Sequence, residues 1–486
     1  MIKRIFFTAV SFFVILSMFI GIASCAGDDG NYDYVQTNEV SISGMESSYN
    51  VEQFANLIIT PNLISSGNFD VNDYEYLWYI YMIKGTDDPD TLSHERNLNA
   101  VINGSPGEYN LVYQVKDKQT GLFYMQCSNV HVVNSFSKGL AVLSNVDGYA
   151  NVAFINVIDK VIENIFESVN GYKAGRNAKG IFYSGNEGVQ KMIVISTDEG
   201  SIACDPIDFR MMMDYSDMFF FPSKPGVMEC LCKNKWGMDE VAIVDGGVFV
   251  RSIMFTDSRF PKFETKIGGA YKIAPFSFYE DNDKYFYDEL SRSFLYYNYS
   301  KLSPVIASDS PLFNPADMKM DMLWGRNFVL SNESCVRAVM QDNSGNRFLI
   351  GGVKDLSYDY VTYESFYRIL PTHKQALTQE GASQATCFAI GINEPNFLYY
   401  AYGSKIICVS ANTGNIISSY TMPQKVDYME FNYNDQTEIL YVAVSDGSDK
   451  ANSGSVYFLE AAADGTLKEV KSFKNICGKV VDFECK

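Results

Sequence analysis

Histidine is nearly absent from this chain: there are three in 486 residues. His94 and His131 fall in the first third and only His373 beyond it, so a Ser-His-Asp arrangement in the longer C-terminal region lacks its base. His373 itself, between Pro371 and Lys374, reads as a solvated loop residue. Basic residues are also scarce. Lys and Arg number 39 against 58 Asp and Glu, a formal charge of −19 that repels polyanions and excludes nucleic acid and direct binding to anionic lipid. The ten cysteines include no CxxC and have no neighbouring histidine, so no zinc site is encoded. Glu280-Asp281-Asn282-Asp283 has oxygen ligands but lacks the glycine and distal Glu of a calcium loop, which makes it a solvated turn. No metal and no cofactor is implied. Outside the N-terminus there is no long apolar run.

What the chain does have is strand-forming material. Aromatic residues make up 14%, with 33 Tyr and 34 Phe against three Trp, and flat side chains pack well on pleated surfaces. The stretch from Cys387 to Met422 is the clearest unit: CFAIGI, FLYYAY, KIICVS and IISSYTM. These runs are divided by turn residues at Asn393-Glu394-Pro395-Asn396, Gly403-Ser404 and Asn412-Thr413-Gly414-Asn415. This is a four-stranded antiparallel meander, apolar on both faces. Such a sheet needs similar sheets on either side, as a propeller blade does.

The unit repeats. Strand-turn-strand centres recur near Gly148, Gly200, Gly246, Leu290, Gly345, Gly414 and Gly465, close to the ~40–50 residues a four-stranded blade needs. Seven centres suggest seven blades, with six or eight as alternatives. The long interval after Gly345 contains Tyr358 to Gly381, read as an inserted loop. The terminal CGKVVDFECK is strand-like with no partner after it, so it is expected to pair near Leu140 to Leu143 and close the ring, leaving no long exposed edge.

At the other end, Lys3-Arg4 followed by the apolar run Ile5 to Ile20 is the n-region and h-region of a secretion signal. Ile22-Ala23-Ser24-Cys25 resembles the lipobox of bacterial lipoproteins, which implies an acylated Cys25 inserted in outer-membrane lipid. The acidic Ala26-Gly27-Asp28-Asp29 is similar to the export signal that sends Bacteroidota lipoproteins to the outer face of the outer membrane. With Cys25 acylated, nine cysteines remain and cannot all pair. Cys230 and Cys232 share one face of a strand, and most of the nine read as small buried hydrophobes, with a few disulfides possible outside the cytoplasm.

The expected organisation is a signal peptide over 1–24, an acylated cysteine and linker over 25–35, an Ig/PKD-like β-sandwich over 36–134 and a β-propeller over 135–486. Strand-like runs at VSISG, Tyr74 to Ile83, Gly107 to Asp117 and Leu122 to Val133 make the sandwich, with Trp78 as its core aromatic and Lys118-Gln119-Thr120-Gly121 closing a hairpin. The GNYDY and NEV elements, the strand around Trp78, Pro106-Gly107-Glu108-Tyr109 and Asp117 with Thr120-Gly121 resemble the PKD-like family of Bacteroidota lipoproteins. The resemblance continues in Asp214-Tyr215-Ser216-Asp217, Gly268-Gly269-Ala270-Tyr271 and Phe286-Tyr287-Asp288. It implies an accessory surface lipoprotein working beside SusC/SusD-type transporters, which import glycans or peptides.

Catalytic residues are not identifiable from sequence. A hydrolytic propeller needs two carboxylates about 5–9 Å apart across a pocket, and 58 acidic residues spread along the chain do not say which two meet. Ser196-Thr197-Asp198-Glu199-Gly200-Ser201 resembles the Asp-box turn of sialidase-like propellers, without the closing aromatic at Ala203, and reads as a structural hairpin. The candidates for recognition are Trp236 and Trp324, each followed by Gly in a polar stretch, where a ring can stack on a sugar or a peptide side chain or else pack between blades. Tyr358, Tyr360 and Tyr363 form a second such group. The expected function is a non-catalytic surface lipoprotein that binds a glycan or peptide nutrient, docks on a SusC/SusD-type transporter, or both. The alternatives are a polysaccharide hydrolase or lyase with a propeller active site, and a purely structural component of a surface complex.

Overall fold

The computed structural model describes residues 39–486 except 54, 68–69, 85–87, 103, 105, 135, 137, 185–190, 222–224, 233–238, 253–260, 281–282, 299–300, 331–332, 362, 392–394 and 433–437. The signal and Cys25 lie outside the described residues. The chain divides into two compact units, 1–103 with 107–131, and 104–106 with 132–486.

In the first unit a five-stranded sheet runs in the order Ser48–Glu52, Phe123–Val133, Gly107–Asp117, Tyr74–Met82, Asp90–Ser93. Two further pairs accompany it, Val40–Ser43 with Asn62–Ser65 and Asn56–Ile59 with Leu98–Val101. This is the β-sandwich. Its centre is Trp78, 0% exposed, with its ring stacked on Tyr113 at 4.1 Å and its indole N–H donated to the Glu95 carbonyl at 3.0 Å. The final hairpin closes because Asp117 Oδ1 accepts the amides of Gln119 and Thr120 at 2.7 and 2.9 Å. The short strands at 48–65 and 90–101 were not foreseen. At four or five residues each, they carry too little alternation to read.

The second unit is a seven-bladed propeller. Blade 1 is composite: Gly139–Val146, Tyr149–Asn156 and Val161–Ile162 are joined by the C-terminal strand Lys479–Cys485. Blades 2 and 3 begin at Ala178–Ser184 and Met228–Cys232, and blades 4 to 7 at Phe278–Glu280, Asp321–Leu330, Cys387–Ile390 and Lys425–Phe431. Each is a four-stranded antiparallel meander among the described residues except blade 3, which has three. Every seam between neighbouring blades holds its own apolar cluster, seven in all, so the ring has no open side. This is the physical reason the blade strands are apolar on both faces.

Closure occurs where the terminal sequence places it. Leu140 pairs with Cys485, Ala141 with Glu484, Val142 with Phe483 and Leu143 with Asp482. The join is tight: a Cβ on Gly478 would sit 2.0 Å from the Asn145 carbonyl oxygen, so no side chain fits there. Lys486 completes it by donating from Nζ to the carbonyls of Phe136 and Pro206, and burial pushes its ammonium down to about 8.

Three expectations are corrected. Residues 358–381 are not a loop: Arg347–Asp359 and Glu364–Leu377 form one long hairpin, paired from Arg347 with Leu377 to Asp359 with Glu364. Consequently His373 is a half-buried strand residue, its imidazole held below its usual range by burial and by Arg337. The repeat also slips by one hairpin. Gly148, Gly200, Gly246, Leu290 and Gly345 mark equivalent turns, but Gly414 and Gly465 mark the following turn of blades 6 and 7; the true equivalents are Gly403 and Gly447. That slip, together with the long hairpin, produced the apparent gap. Finally, the outermost strand of blade 6, Ile416–Thr421, is largely exposed, because nothing covers the rim of a blade.

The nine described cysteines are all unbridged, and Cys204, Cys232, Cys335, Cys387, Cys408 and Cys477 are buried. No disulfide is formed among the described residues. Among those residues no helix is long and apolar enough to cross a membrane.

Candidate functional site

The innermost strand of each blade, which in blade 1 is the C-terminal Lys479–Cys485 and elsewhere the blade's first strand, faces the propeller axis. Those of blades 1 to 3 and 5 to 7, with residues 275–277 just before blade 4, line a cavity of about 720 Å³, within the size range of small-ligand sites. Leu323 to Val329 line one side, Asp427 to Glu430 and Asp482 to Glu484 another, and Glu229 to Cys232 a third.

One polar chain runs along this wall. Arg326 Nη1 of blade 5 lies 3.3 Å from Glu430 Oε1 of blade 7, and Glu430 Oε2 accepts the Tyr428 hydroxyl at 3.2 Å. The same hydroxyl is hydrogen-bonded to Asp482 of blade 1, whose Oδ2 accepts the Ile181 amide of blade 2 at 2.9 Å. Two carboxyl groups thus share one phenol. Burial, and then the charge of Glu430, push Asp482 up to about 8, which favours its protonated form at neutral pH. Tyr428 is raised well above the phenol range, first by burial and then by Asp482 and Glu430. Across the cavity, Glu229 accepts the Gly246 amide at 2.7 Å and is raised, chiefly by burial. Asp427 is likewise raised by burial, with both oxygens enclosed in the wall.

This arrangement combines an acid whose proton is held more tightly than usual, an ion-paired carboxylate and the aromatic residues Phe276 and Trp324. Such groups can bind a polar ligand or pass a proton to one. Among the described residues no cluster of three or more His, Cys, Asp or Glu could hold a metal ion.

Of the residues singled out from sequence, Trp324 lies at this site, on a strand rather than a loop. It is partly buried against the apolar seam between blades 5 and 6, so it both packs and lines the cavity. The glycine after it is required by packing: a Cβ on Gly325 would sit 2.5 Å from the Phe278 ring. Trp236 lies outside the described residues. Tyr358, Tyr360 and Tyr363 are exposed at the tip of the long hairpin and do not line the cavity. The turn at Ser196–Ser201 is held by Thr197 Oγ1 donating to the Gly200 carbonyl at 2.9 Å and by Ser201 donating to Ser196 at 3.1 Å.

Glu229, Arg326, Tyr428, Glu430 and Asp482 were missed. Each is a polar residue in the innermost strand of its blade, which in blade 1 is the C-terminal strand Lys479–Cys485. Once the blades are registered, a polar residue in an otherwise apolar inner strand is the signal that finds them.

The sequence profile of the PKD-like family matches residues 25–177, covering the sandwich and the beginning of the propeller. Among solved structures, the chain is similar to a quinonprotein alcohol dehydrogenase-like protein from Bacteroides thetaiotaomicron, at 14% identity over 90% of this chain and 96% of that one, with a TM-score of 0.40. It is also similar to dihydro-heme d1 dehydrogenase NirN in complex with DHE, at 11% identity over 77% and 72%, with a TM-score of 0.39. A β-propeller domain from Myceliophteria thermophila is similar at 10% identity over 64% and 94%, with a TM-score of 0.36. Among curated proteins none matches the chain.

Proposed function

We propose that this chain is a lipid-anchored protein of the outer membrane, facing the cell exterior, which binds a glycan or peptide nutrient in the axial cavity of its propeller. It hands that ligand to a SusC/SusD-type transporter on which it docks. The axial cavity carries this reading: aromatic residues at Phe276 and Trp324 line it together with hydrogen-bonding groups at Arg326, Tyr428 and Glu430, the composition of a binding pocket. The anchor rests on Lys3-Arg4, the apolar run to Ile20 and the lipobox at Cys25.

One observation favours a second reading, a polysaccharide hydrolase or lyase. Asp482 and Glu430 are both hydrogen-bonded to the Tyr428 hydroxyl, and a pair of carboxyl groups of which one holds its proton more tightly than usual is the pairing that acid–base cleavage uses.

A single preparation of residues 26–486 tests both, by retention and turnover on glycan and peptide arrays. Retention without turnover supports binding. Turnover abolished by Asp482→Asn supports the enzyme, and neither retention nor turnover sinks both. Whether Cys25 is acylated is read separately, by mass spectrometry of the membrane-extracted protein.

A further inference from the structure

The reading of the axial cavity as a ligand site can be taken one step further, to the charge of the ligand, and the step rests on that reading. Five acidic residues line the cavity: Glu229 from blade 3, Asp427 and Glu430 from blade 7, and Asp482 and Glu484 from blade 1. Among the described residues that line it, Arg326 is the one cation, and its guanidinium is already engaged by Glu430 at 3.3 Å. Glu229 and Asp482 have polar contacts of a different kind. Glu229 accepts a backbone amide from Gly246 and is partly offset by Lys272, which lies outside the lining, while Asp482 accepts an amide from Ile181 and shares the Tyr428 hydroxyl, so neither is paired with a cation of the lining. A carboxyl withdrawn from bulk water without a countercharge is held neutral at a cost, and a cation entering the cavity relieves that cost.

The aromatic walls point the same way. Trp324 and Phe276 line the same space, and aromatic rings attract ammonium and guanidinium groups within about 6 Å. A neutral sugar gains stacking here but offers nothing to the excess of carboxyls, and an anionic ligand is opposed by them. A bare metal ion is the poorer fit, because among the described residues no three such donors converge. The formal charge of −19 attracts cations to the molecule as a whole.

We propose that the axial cavity takes the cationic side chain of a basic peptide, a lysine or arginine whose charged head meets Glu430 and Asp482 on one wall, with Glu229 facing it from the opposite wall, while its stem lies along Trp324 and Phe276. The peptide branch of the nutrient reading is thereby favoured over the glycan branch.

The test is isothermal titration of residues 26–486 with trilysine and, in parallel, with uncharged maltohexaose. Trilysine is expected to bind, more weakly as NaCl is raised. Glu430→Gln and Glu229→Gln are each expected to weaken it about tenfold or more, the usual effect of removing a charged hydrogen-bond partner. Glu469→Gln, on the exposed outer strand of blade 7, controls for unspecific attraction between a polycation and an acidic surface and is expected to change nothing. The melting temperature of each variant shows whether it is folded, and the two cavity variants provide independent trials. Three results overturn the proposal. Equal trilysine affinity in the wild type and both cavity variants removes the cavity from the interaction. Binding of maltohexaose without trilysine leaves the cavity as a ligand site with the wrong charge class. Binding of neither, combined with no retention on the arrays, removes the ligand site itself.

Discussion

The backbone N–H of Ile181 donates to Asp482 Oδ2 at 2.9 Å, joining residues 301 positions apart. The acid that faces the cavity is therefore fixed by the blade next to its own. Asp482 stands on the strand that closes the ring, so the geometry of the candidate site and the integrity of the propeller depend on the same eight terminal residues.

Protonation of Asp482 makes stability depend on pH in a defined direction. Its folded-state value of about 8 lies above the ~3.9 of an unfolded Asp, so its contribution is fully present below about pH 4 and is lost as pH rises towards 8. Glu229 and Asp427, also raised, act in the same sense. Asp482→Asn keeps an acceptor for the Ile181 amide and removes the ionisation. Urea midpoints at pH 5 and pH 8.5 are expected to differ less in the variant than in the wild type. An unchanged difference would show that Asp482 is ionised throughout.

Closure should dominate stability. Phe483 is buried in the seam between blades 7 and 1 beside Tyr441, Val142 and Val456. Phe483→Ala is expected to cost about 3–5 kcal/mol, and removal of 479–486 considerably more. Urea denaturation followed by tryptophan fluorescence measures both, and a loss below about 1 kcal/mol for Phe483→Ala would mean the ring holds without its latch.

Blade 3 contains a fully buried ion pair. Arg251 donates from Nε to Glu240 Oε2 at 2.6 Å and from its other nitrogens to the Pro261 carbonyl and the Ser184 hydroxyl, each at 3.2 Å, over the ring of Phe263. Glu240→Ala alone should cost about 3–5 kcal/mol, because it leaves a charge buried without its partner. Glu240→Leu with Arg251→Met should recover much of that loss. Thermal melts of the single and double variants decide it; additive losses would show that the two charges do not act as a pair.

The cavity and the hairpin tip should separate in function. Trp324→Ala is expected to lower ligand retention, at a stability cost of about 2–4 kcal/mol from its partly buried ring. Tyr360, 80% exposed, and Tyr363, 77% exposed, should be replaceable by Ser within about 0.5 kcal/mol. If the Tyr360→Ser, Tyr363→Ser protein loses array retention while the Trp324→Ala protein keeps it, the ligand site is at the tip and not on the axis.

The meander at Cys387–Met422 was legible because its turns are local: Gly403 and Gly414 both adopt the positive φ such turns need, at +56° and +70°. Trp78 was legible as a core residue for the same local reason, an indole in the middle of an apolar strand. The site was much less legible. Arg326 and Glu430 are 104 positions apart, and nothing near either one says that they meet.

Sequence alone settled what depends on neighbours along the chain: the all-β character, the strand-and-turn rhythm of the blades, and a terminal strand that had to find its partner at the start of the ring. Only the tertiary structure decided which polar residues share the axis, because that depends on the register of seven separate sheets. A shift of one residue in any inner strand turns its side chains to the opposite face. Glu229, Glu430 and Asp482 become one site only when all seven blades have closed around them.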